Sequence, residues 1–400
     1  MGGGSSTSKP DKATICLAKS LIGPNYQGPT LLSADVGGTS SRIHLFLPPE
    51  GNSTADADCV VPPQRRIYEA KYQNSKFETF TEILHTFLKE ANMPKPPILA
   101  CLAVAGVVVN GTCTFINLGW VIEGHAIEQA LGIGEVNLVN DFVAQGYGIL
   151  TLDPNKDCEV LQKAQKLEGA PIAVVGAGTG LGEAFLTTGA NGDYEVWPTE
   201  GGHAEFAPRQ DGSTKIQFEL IQYLQIKYSA KSRVSVERVV AGRGISNIYE
   251  FLAWKYPEKV NKKVHNEWIG PPDGPRLFEP AVITQAAVSG SCELCVQAVN
   301  MWCGAYGAEA GVVGLTYMPF GGLYLTGGVT NKLREFIKGI KGDDSFMESF
   351  LDKGRVTPML MRVPVMMVKG EDMGERGAML KASRLFLETL KLRRPSLMRD

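Results

Sequence analysis

Residues 31–47 carry the pattern that decides the fold, and they read LLSADVGGTSSRIHLFL. The apolar run over 31–36 enters a turn of two glycines and a threonine at 37–39, and a second apolar run follows over 43–47. Apolar runs of this length joined by a glycine turn are typical of two β-strands. The stretch therefore predicts a strand, a tight turn and a second strand.

A second stretch repeats this arrangement. Residues 171–187 read PIAVVGAGTGLGEAFLT, again with a glycine and threonine turn between two apolar runs. In P-loop and Rossmann proteins a helix follows the glycine-rich turn, whereas here a strand follows it. Protein kinases are excluded as well, because valine rather than glycine follows Asp141-Phe142 and no His-Arg-Asp occurs.

The remainder of the chain alternates helix and strand patterns, which is typical of an α/β fold. With about 150 residues per domain, 400 residues predict two or three domains. The segment 257–280 carries several prolines and is predicted to be a loop. Helices are predicted at 77–91, 123–131, 216–228, 244–255, 280–288, 293–315, 331–338 and 373–392, and further strands at 98–104, 135–139 and 323–326.

The charge balance argues against a nucleic-acid partner. Lys and Arg number 40 against 42 Asp and Glu, which leaves a net charge of −2, and no basic run stands out. The longest apolar stretch, 98–109, is shorter than the roughly 18 residues that suggest a membrane span. We therefore expect neither nucleic-acid binding nor a transmembrane segment.

The cysteine pattern predicts a reducing, cytoplasmic setting. Eight cysteines are scattered through the chain, and no secretory signal is recognisable at its start. Cys292 and Cys295 form the only close pair in the sequence, with no second CxxC or HxxxH nearby. They are predicted to be buried thiols on one helix face rather than zinc ligands.

Residues 1–28 contain prolines and no periodicity, so they predict a flexible N-terminal arm. The opening also matches the N-myristoylation pattern M-G-x-x-x-[ST] through Gly2 and Ser6. A pattern this short arises easily in any tail rich in glycine and serine. Acylation at Gly2 and an unmodified arm both remain open.

The first glycine turn allows two interpretations. Glycines let backbone N–H groups approach an anion, Thr39 adds a hydroxyl donor, and Asp35 at the strand end is a candidate to hold a hydrated Mg²⁺. A type I′ hairpin also favours Gly37-Gly38, so this motif alone does not separate the two. The four alternate glycines over 176–182 exceed what a hairpin needs, and two such turns favour phosphate binding.

Asn140 and Asp141 follow the apolar run 135–139. Asp141 is predicted either to cap a helix, for which Asp is among the best residues, or to act as a general base beside a nucleotide. Glu200-Gly-Gly-His203 places an acid and an imidazole around a turn, which suits the hydroxyls of a polyol. Glu237 is predicted at a helix start, where an acid is favourable even without a ligand.

These motifs together resemble the group A glucokinases of the hexokinase, actin and Hsp70 superfamily. The resemblance covers about residues 31–392. It implies two ribonuclease-H-like α/β domains flanking an active-site cleft: a small one at 29–150, completed by the helix 373–392, and a large one at 151–372. The motifs that carry the resemblance stand in the family's order: Asp35-x-Gly-Gly-Thr39, Asn140-Asp-Phe142, Gly176-Ala-Gly-Thr-Gly-Leu-Gly182, Glu200-Gly-Gly-His203, Ser235-x-Glu237-Arg238 and Gly327-Gly328.

The resemblance also implies an activity, the ATP-dependent phosphorylation of D-glucose to glucose 6-phosphate, with Asp141 as the general base. Mg²⁺ would arrive with ATP and lie near Asp35. The implied glucose ligands are Asn117, Asn140, Asp141, Glu200, His203 and Glu237. The implied nucleotide-binding residues are Asp35, Gly37, Gly38, Thr39, Gly178, Thr179, Gly180, Gly327 and Gly328.

Several alternatives bear on this interpretation. The related ROK sugar kinases pair their histidine with a cysteine-rich zinc motif that this sequence lacks, so we expect no zinc. A kinase of mannose or fructose stays open as the nearest rival. A sugar-binding regulator would need a DNA-binding domain, for which residues 1–28 are too short and too neutral. The family resemblance further implies a homodimer.

Overall fold

The computed structural model describes residues 26–49, 66–115, 118–210 and 214–393. Most of the predicted arm at 1–28, with Gly2, lies outside the described residues, and so does Asn117. Within the described residues the chain divides into two compact units. The first unit runs up to Leu152 and resumes at Asp372, and the second unit runs from Asp153 to Glu371.

The strands lie where apolar and β-branched runs predict them, with several short ones in addition. They are β1 (Leu31–Val36), β2 (Ser40–Phe46), β3 (Arg66–Gln73), β4 (Leu99–Val104), β5 (Val108–Val109), β6 (Thr112–Phe115), β7 (Trp120–Glu123), β8 (Val136–Asn140), β9 (Cys158–Gln162), β10 (Ile172–Ala177), β11 (Leu181–Thr188), β12 (Tyr194–Thr199), β13 (Gly322–Thr326) and β14 (Val365–Val368).

The helices follow between and after these strands. They are α1 (Phe80–Ala91), α2 (Gly124–Leu131), α3 (Asp141–Ile149), α4 (Pro154–Asp157), α5 (Ile216–Lys227), α6 (Glu237–Val240), α7 (Gly242–Lys255), α8 (Lys262–Ile269), α9 (Pro280–Val288), α10 (Glu293–Tyr317), α11 (Gly328–Lys332), α12 (Arg334–Ile337), α13 (Ser345–Leu351), α14 (Thr357–Leu360) and α15 (Met373–Arg393).

The first unit is built on a five-stranded sheet in the order β3-β2-β1-β4-β8. The hairpin β1-β2 and the strand β3 are antiparallel, whereas β1, β4 and β8 run parallel. In this register Asp35 lies beside Ala103, and Val104 lies beside Asn140. Asp35 and Asn140 therefore come to the same edge of the sheet.

Each face of this sheet packs on helices. On one face, Phe80, Ile83 and Phe87 of α1 are buried together with side chains of β1 and β4. On the opposite face α3 and α15 pack against β1 and β4 through small side chains, among them Ala144 and Ala378. The helix that begins at Asp141 is thus fixed by packing along its length.

The second unit repeats the strand pattern in a six-stranded sheet of order β12-β11-β10-β13-β14-β9. Again a hairpin, β10-β11, is followed by the parallel strands β13 and β14. Its core contains the 25-residue helix α10, which is buried over most of its length. Within the described part of the chain, no single helix is long and apolar enough to span a membrane. Helices α9 and α10 reach that length and apolar composition only when taken together, and a bend of 102° separates them.

Two local predictions were wrong. The segment 257–280, predicted as a loop from its prolines, contains α8. The side chain of Asn261 caps this helix by accepting from the backbone N–H groups of Lys263 and Val264, and Val264 and Trp268 are buried one turn apart. The predicted helix 331–338 is instead the two short helices α11 and α12.

Helix α10 approaches α13 so closely that only glycine fits at one crossing point. A Cβ atom at Gly307 would overlap the backbone carbonyl of Phe346, whereas a Cβ at Gly304, one turn earlier, would lie 3.4 Å from the hydroxyl of Ser349. We expect Gly307→Ala to lower the free energy of unfolding by about 2–3 kcal/mol through overpacking. Gly304→Ala is the control and is expected to be neutral or stabilising by up to about 1 kcal/mol, because alanine favours a helix. Urea unfolding measures both, and equal effects would contradict this account of the packing.

Candidate active site

The first glycine turn is held at its base by the side chain of Asn74, a residue that no motif of the sequence marks. Asn74, fully buried after β3, donates to the carbonyl of Gly37 at 2.8 Å and accepts from the hydroxyl of Ser41 at 2.8 Å. Its backbone N–H donates to the carbonyl of Thr39 at 3.0 Å. Gly38 and Thr39 at the tip stay exposed, and a Cβ at Gly38 would meet no atom within 4 Å. The turn is rigid at its base and open at its tip.

Asp35 lies at the end of β1, next to the start of α15. A Cβ at Gly374 would lie 3.1 Å from a carboxylate oxygen of Asp35. Burial, together with the negative charges of Glu375 and Asp141, raises the pKa of Asp35 to about 6. Like charges are thus concentrated at this sheet edge, which favours the approach of a cation.

Asn140, and not Asp141, caps helix α3. The Asn140 side-chain oxygen accepts from the backbone N–H groups of Phe142 at 2.9 Å and Val143 at 3.3 Å. The Asn140 amide also donates to the carbonyl of Gly106 at 3.1 Å. Asp141 is the first helical residue, half-buried, and its carboxylate accepts from the N–H of Phe142 at 3.0 Å. The interpretation of Asp141 as the capping residue is therefore corrected, since its neighbour fills that role.

A buried ionic network joins the first hairpin to α15. The carboxylate of Glu375 accepts from Arg42 and lies 2.9 Å from Nε2 of His44, both on β2. These two partners lower the pKa of Glu375 to about 2 against the effect of burial. Hydrogen bonds to Glu375 and Glu69 raise the pKa of His44 although its burial acts in the opposite direction. The network fixes the strand that leads from the turn at 37–39.

In the second unit, the turn 178–180 closes the hairpin β10-β11. The N–H of Gly178 donates to the carbonyl of Gly180 at 2.9 Å, and the N–H of Gly242 at the start of α7 donates to the carbonyl of Gly178 at 2.9 Å. Around Gly178 there is space, because the nearest atom to a Cβ there would be 3.9 Å away. Thr179 at the tip is exposed.

Gly327 and Gly328 lie at the same edge of this sheet as the turn 178–180. Gly327 has a φ of 99°, which side chains rarely adopt, and a Cβ there would overlap the carbonyl of Ala177. Gly328 begins α11 with a carboxylate oxygen of Glu371 3.5 Å from its Cβ position. The backbone after β13 thereby comes close to the end of β10.

Glu237 lies against the second turn rather than apart from it. One of its carboxylate oxygens accepts from the N–H of Leu181 at 3.1 Å. The same oxygen would be 2.6 Å from a Cβ at Gly180. Glu237 is half-buried at the start of α6, so one oxygen is used by the turn.

Glu200 and His203 flank a tight turn after β12. Their side chains are 65% and 58% exposed, with 3.7 Å between a carboxylate oxygen of Glu200 and Nε2 of His203. Arg233 donates to the backbone carbonyl of His203 at 2.7 Å and holds the end of the turn. A Cβ at Gly202 would overlap the carbonyl of Leu181, so this turn packs directly on the start of β11.

The structure thus groups the predicted residues within each unit. Among the residues it describes, no three His, Cys, Asp or Glu side chains are placed to hold a metal ion. The first unit joins Asp35, the turn 37–39, Asn140 and Asp141 at one sheet edge. The second unit joins the turn 178–180, Gly327, Gly328, Glu200, His203 and Glu237.

Solved structures identify the class of the fold. A glucokinase from an Antarctic psychrotroph is similar to this chain with a TM-score of 0.70 at 27% identity, over 90% of this chain and 100% of that one. A glucokinase from Balamuthia mandrillaris in complex with glucose gives a TM-score of 0.70 at 16% identity, over 89% and 94%. The chain has the mixed α/β fold of the sugar kinases.

Sequence comparison identifies the family. The Glucokinase family model matches residues 32–385. The chain is 39% identical over 361 residues to a glucokinase from Nostoc sp., covering 89% of this chain and 99% of that one. It is 29% identical over 350 residues to a glucokinase from Yersinia pestis, covering 87% and 94%. This chain belongs to the glucokinase family.

The wider placement needs a correction. A ROK-family glucokinase from Streptomyces griseus, in complex with glucose and AMPPNP, shares the fold with a TM-score of 0.57 at 19% identity, over 89% of this chain and 99% of that one. These matches support the glucokinase family, with a ROK sugar kinase sharing its fold. They do not support the broader grouping with hexokinase, actin and Hsp70 that the motifs led us to expect.

The Glu375 network gives a pH-dependent contribution to stability. Ionised Glu375 stabilises the fold above its ordinary pKa of 4.5 and loses this effect as pH falls toward 2. Protonated His44 stabilises it below its ordinary pKa of 6.5 and loses this effect as pH rises through the raised value. We expect Glu375→Gln to lower the free energy of unfolding by about 2 kcal/mol at pH 5.5, and by less at pH 8.

Urea unfolding at both pH values measures this difference. Glu128→Gln is the control in the same unit. It removes the ion pair with the exposed His125, where ion pairs contribute little, while the amide oxygen can still accept from the N–H of Val136. A cost of Glu375→Gln that is the same at pH 5.5 and pH 8 would show that the charges of the network do not stabilise the fold.

Proposed function

We propose that this chain is a glucokinase that transfers the γ-phosphoryl group of ATP to the 6-hydroxyl of D-glucose, with Asp141 as the general base. Membership of the family supports the reaction. The two units are its two domains, with the proposed boundaries 29–150 plus 373–392 and 151–372. A hairpin followed by parallel strands in both sheets supports a ribonuclease-H-like description of each domain.

The position of Asp141 carries the assignment of the base. Its carboxylate is half-buried in the first turn of α3, where the helix N-terminus stabilises negative charge. Because Asn140 performs the capping, the helix cap does not depend on Asp141. A carboxylate positioned in this way accepts the proton of the 6-hydroxyl as that oxygen attacks phosphorus.

The glycine turns supply the donors for the phosphates. Gly38 and Gly178 have open space where a side chain would be, so that a phosphate oxygen can approach the backbone N–H groups. Gly37, Thr39, Thr179 and Gly180 complete the two turns. Gly327 and Gly328 face the adenosine, since they lie beside the second turn.

Mg²⁺ enters as part of the nucleotide, and the charges at Asp35 fit it. When bound, the ion neutralises phosphate charge. Burial raises the pKa of Asp35 most, the negative charges of Glu375 and Asp141 raise it further, and a cation would relieve the repulsion among these carboxylates. Asp35 is the residue that would lie nearest to the ion.

The proposed ligands of the remaining glucose hydroxyls are those that the family resemblance implies: Asn140 of the first unit, and Glu200, His203 and Glu237 of the second unit. Glu200 and His203 suit this role because their side chains are exposed and the turn beneath them is fixed by its backbone. Asn117 completes the proposed set. A homodimer and a cytoplasmic location remain predictions of the sequence.

The assignment of the base is tested by Asp141→Asn. We expect kcat to fall roughly 100-fold or more, because the amide cannot accept the proton. Glucose binding and the thermal midpoint should change little, since the cap at Asn140 is intact. Asp153→Asn, at the start of α4, is the matched control and should leave kcat unchanged. ATP turnover on glucose, mannose, fructose and no sugar measures activity and selectivity together. A folded Asp141→Asn protein that keeps more than a tenth of wild-type kcat would remove Asp141 from the mechanism.

The sugar contact is tested by His203→Ala. We expect the KM for glucose to rise roughly tenfold or more, because the facing hydroxyl loses its partner. Stability should be unchanged, since the imidazole is 58% exposed. His125→Ala is the matched control: His125 also pairs with a glutamate three residues away, at 3.0 Å, and is 72% exposed. Equal KM values for the two variants would exclude His203 from the sugar site.

A further inference from the structure

The turn that carries Glu200 and His203 is anchored on strand β11. The hydroxyl of Thr199 donates to the backbone carbonyl of Glu183 at 3.2 Å and accepts from the N–H of Gly201 at 3.2 Å. Thr199 also forms a side-chain hydrogen bond with Tyr317 of α10. The position of the turn therefore depends on the packing of Gly201 against the side chain of β11 next to it.

The side chain beneath Gly201 is a buried acid that the proposed reaction does not use. Glu183 is 3% exposed. One of its carboxyl oxygens occupies the place that a Cβ of Gly201 would take. The other oxygen is fully buried with no hydrogen-bond partner among the described residues. An ionised carboxylate in this place would be costly, because no donor among the described residues bonds to this second oxygen.

A second acid faces Glu183. The side chain of Glu309, on α10, forms a hydrogen bond with that of Glu183. Two carboxylates have no hydrogen to share, so the bond requires a proton on one of them. Burial and the charge of Glu309 raise the pKa of Glu183 to about 8. Burial raises the pKa of Glu309 as well, while its bond to Glu183 and the charge of Lys353 act against that rise. We assign the shared proton to Glu183, because Lys353 favours the charged form of Glu309.

The other titratable groups around the pair come from three elements. Tyr306 and Tyr317 of α10 have pKa values raised by burial and stay neutral. Lys353, after α13, has a pKa lowered by burial. The remaining two, Glu200 and His203, are exposed on the turn itself. Glu183 is therefore the group of this cluster whose ionisation would place two negative charges side by side under the turn.

We propose that Glu183 is a positioning residue for sugar binding: its protonated side chain, bonded to Glu309, supports Gly201 and holds Glu200 and His203 in the geometry that binds the sugar hydroxyls. This inference rests on the proposed role of the turn in glucose binding. Loss of the proton makes the two carboxylates repel each other, which displaces the side chain under Gly201 and weakens glucose binding.

The test is the pH dependence of the glucose Kd, measured by calorimetry on the full chain between pH 6.5 and 9.5. For the wild type, we expect Kd to be constant below about pH 8 and then to rise by up to about tenfold per pH unit, as the protonated fraction falls. Glu183→Gln keeps the size and a donor but cannot ionise, so its Kd should stay near the neutral-pH value throughout.

Glu159→Gln is the matched control, because Glu159 is a partly buried acid at the opposite edge of the same sheet and pairs with Arg334 and Lys338. It should keep the wild-type profile. Glu309→Gln serves as a second variant if Glu183→Gln does not fold, and it should also reduce the alkaline weakening because no second charge faces Glu183.

The outcomes distinguish failure of the proposed function from failure of the role of Glu183. Wild-type protein that binds no glucose at any pH overturns the proposed function and this inference with it. Glucose binding with a flat pH profile overturns the role of Glu183 alone. A rise in Kd that Glu183→Gln shares would assign the titration to another group, such as Lys353, and would equally overturn the role of Glu183.

Discussion

Both sheets depend on one geometric constraint, which is that parallel strands end at the same edge. In the first unit the parallel strands β1, β4 and β8 bring the turn at 37–39 and Asn140 together, although they are far apart in the sequence. In the second unit β10 and β13 do the same for the turn at 178–180 and Gly327. Glycine turns, an acid and an amide are thereby concentrated at strand ends, where ligand sites of α/β proteins commonly lie.

Glycine has two distinct uses in this protein, and the space around each residue distinguishes them. At Gly38 and Gly178 the absent side chain leaves open space, which suits the approach of a ligand. At Gly201, Gly307 and Gly327 a side chain would overlap atoms of the protein itself, so the absence of one permits close packing. The first use leaves backbone accessible, and the second brings neighbouring elements into close contact.

Local patterns predicted the two hairpins and the long helices, because apolar runs and glycine turns report on nearby backbone. The cap of α3 was assigned one residue too late, because Asn and Asp cap helices about equally well. Asn74, Glu183 and Glu375 could not be predicted, since their partners lie far away in the sequence and no spacing marks them. The residues proposed to bind ligands could thus be predicted from motifs, whereas the residues that hold them in place required the structure.

The closing helix α15 has a consequence for the order of folding. It covers one face of the first sheet, through residues such as Ala378 and Ala382, and its Glu375 completes the pairs of Arg42 and His44. During synthesis these groups emerge only after all of the second unit has left the ribosome. The first unit is therefore the last to be completed, and until then one face of its sheet lacks the apolar side chains of α15, and Arg42 and His44 lack their contacts with Glu375.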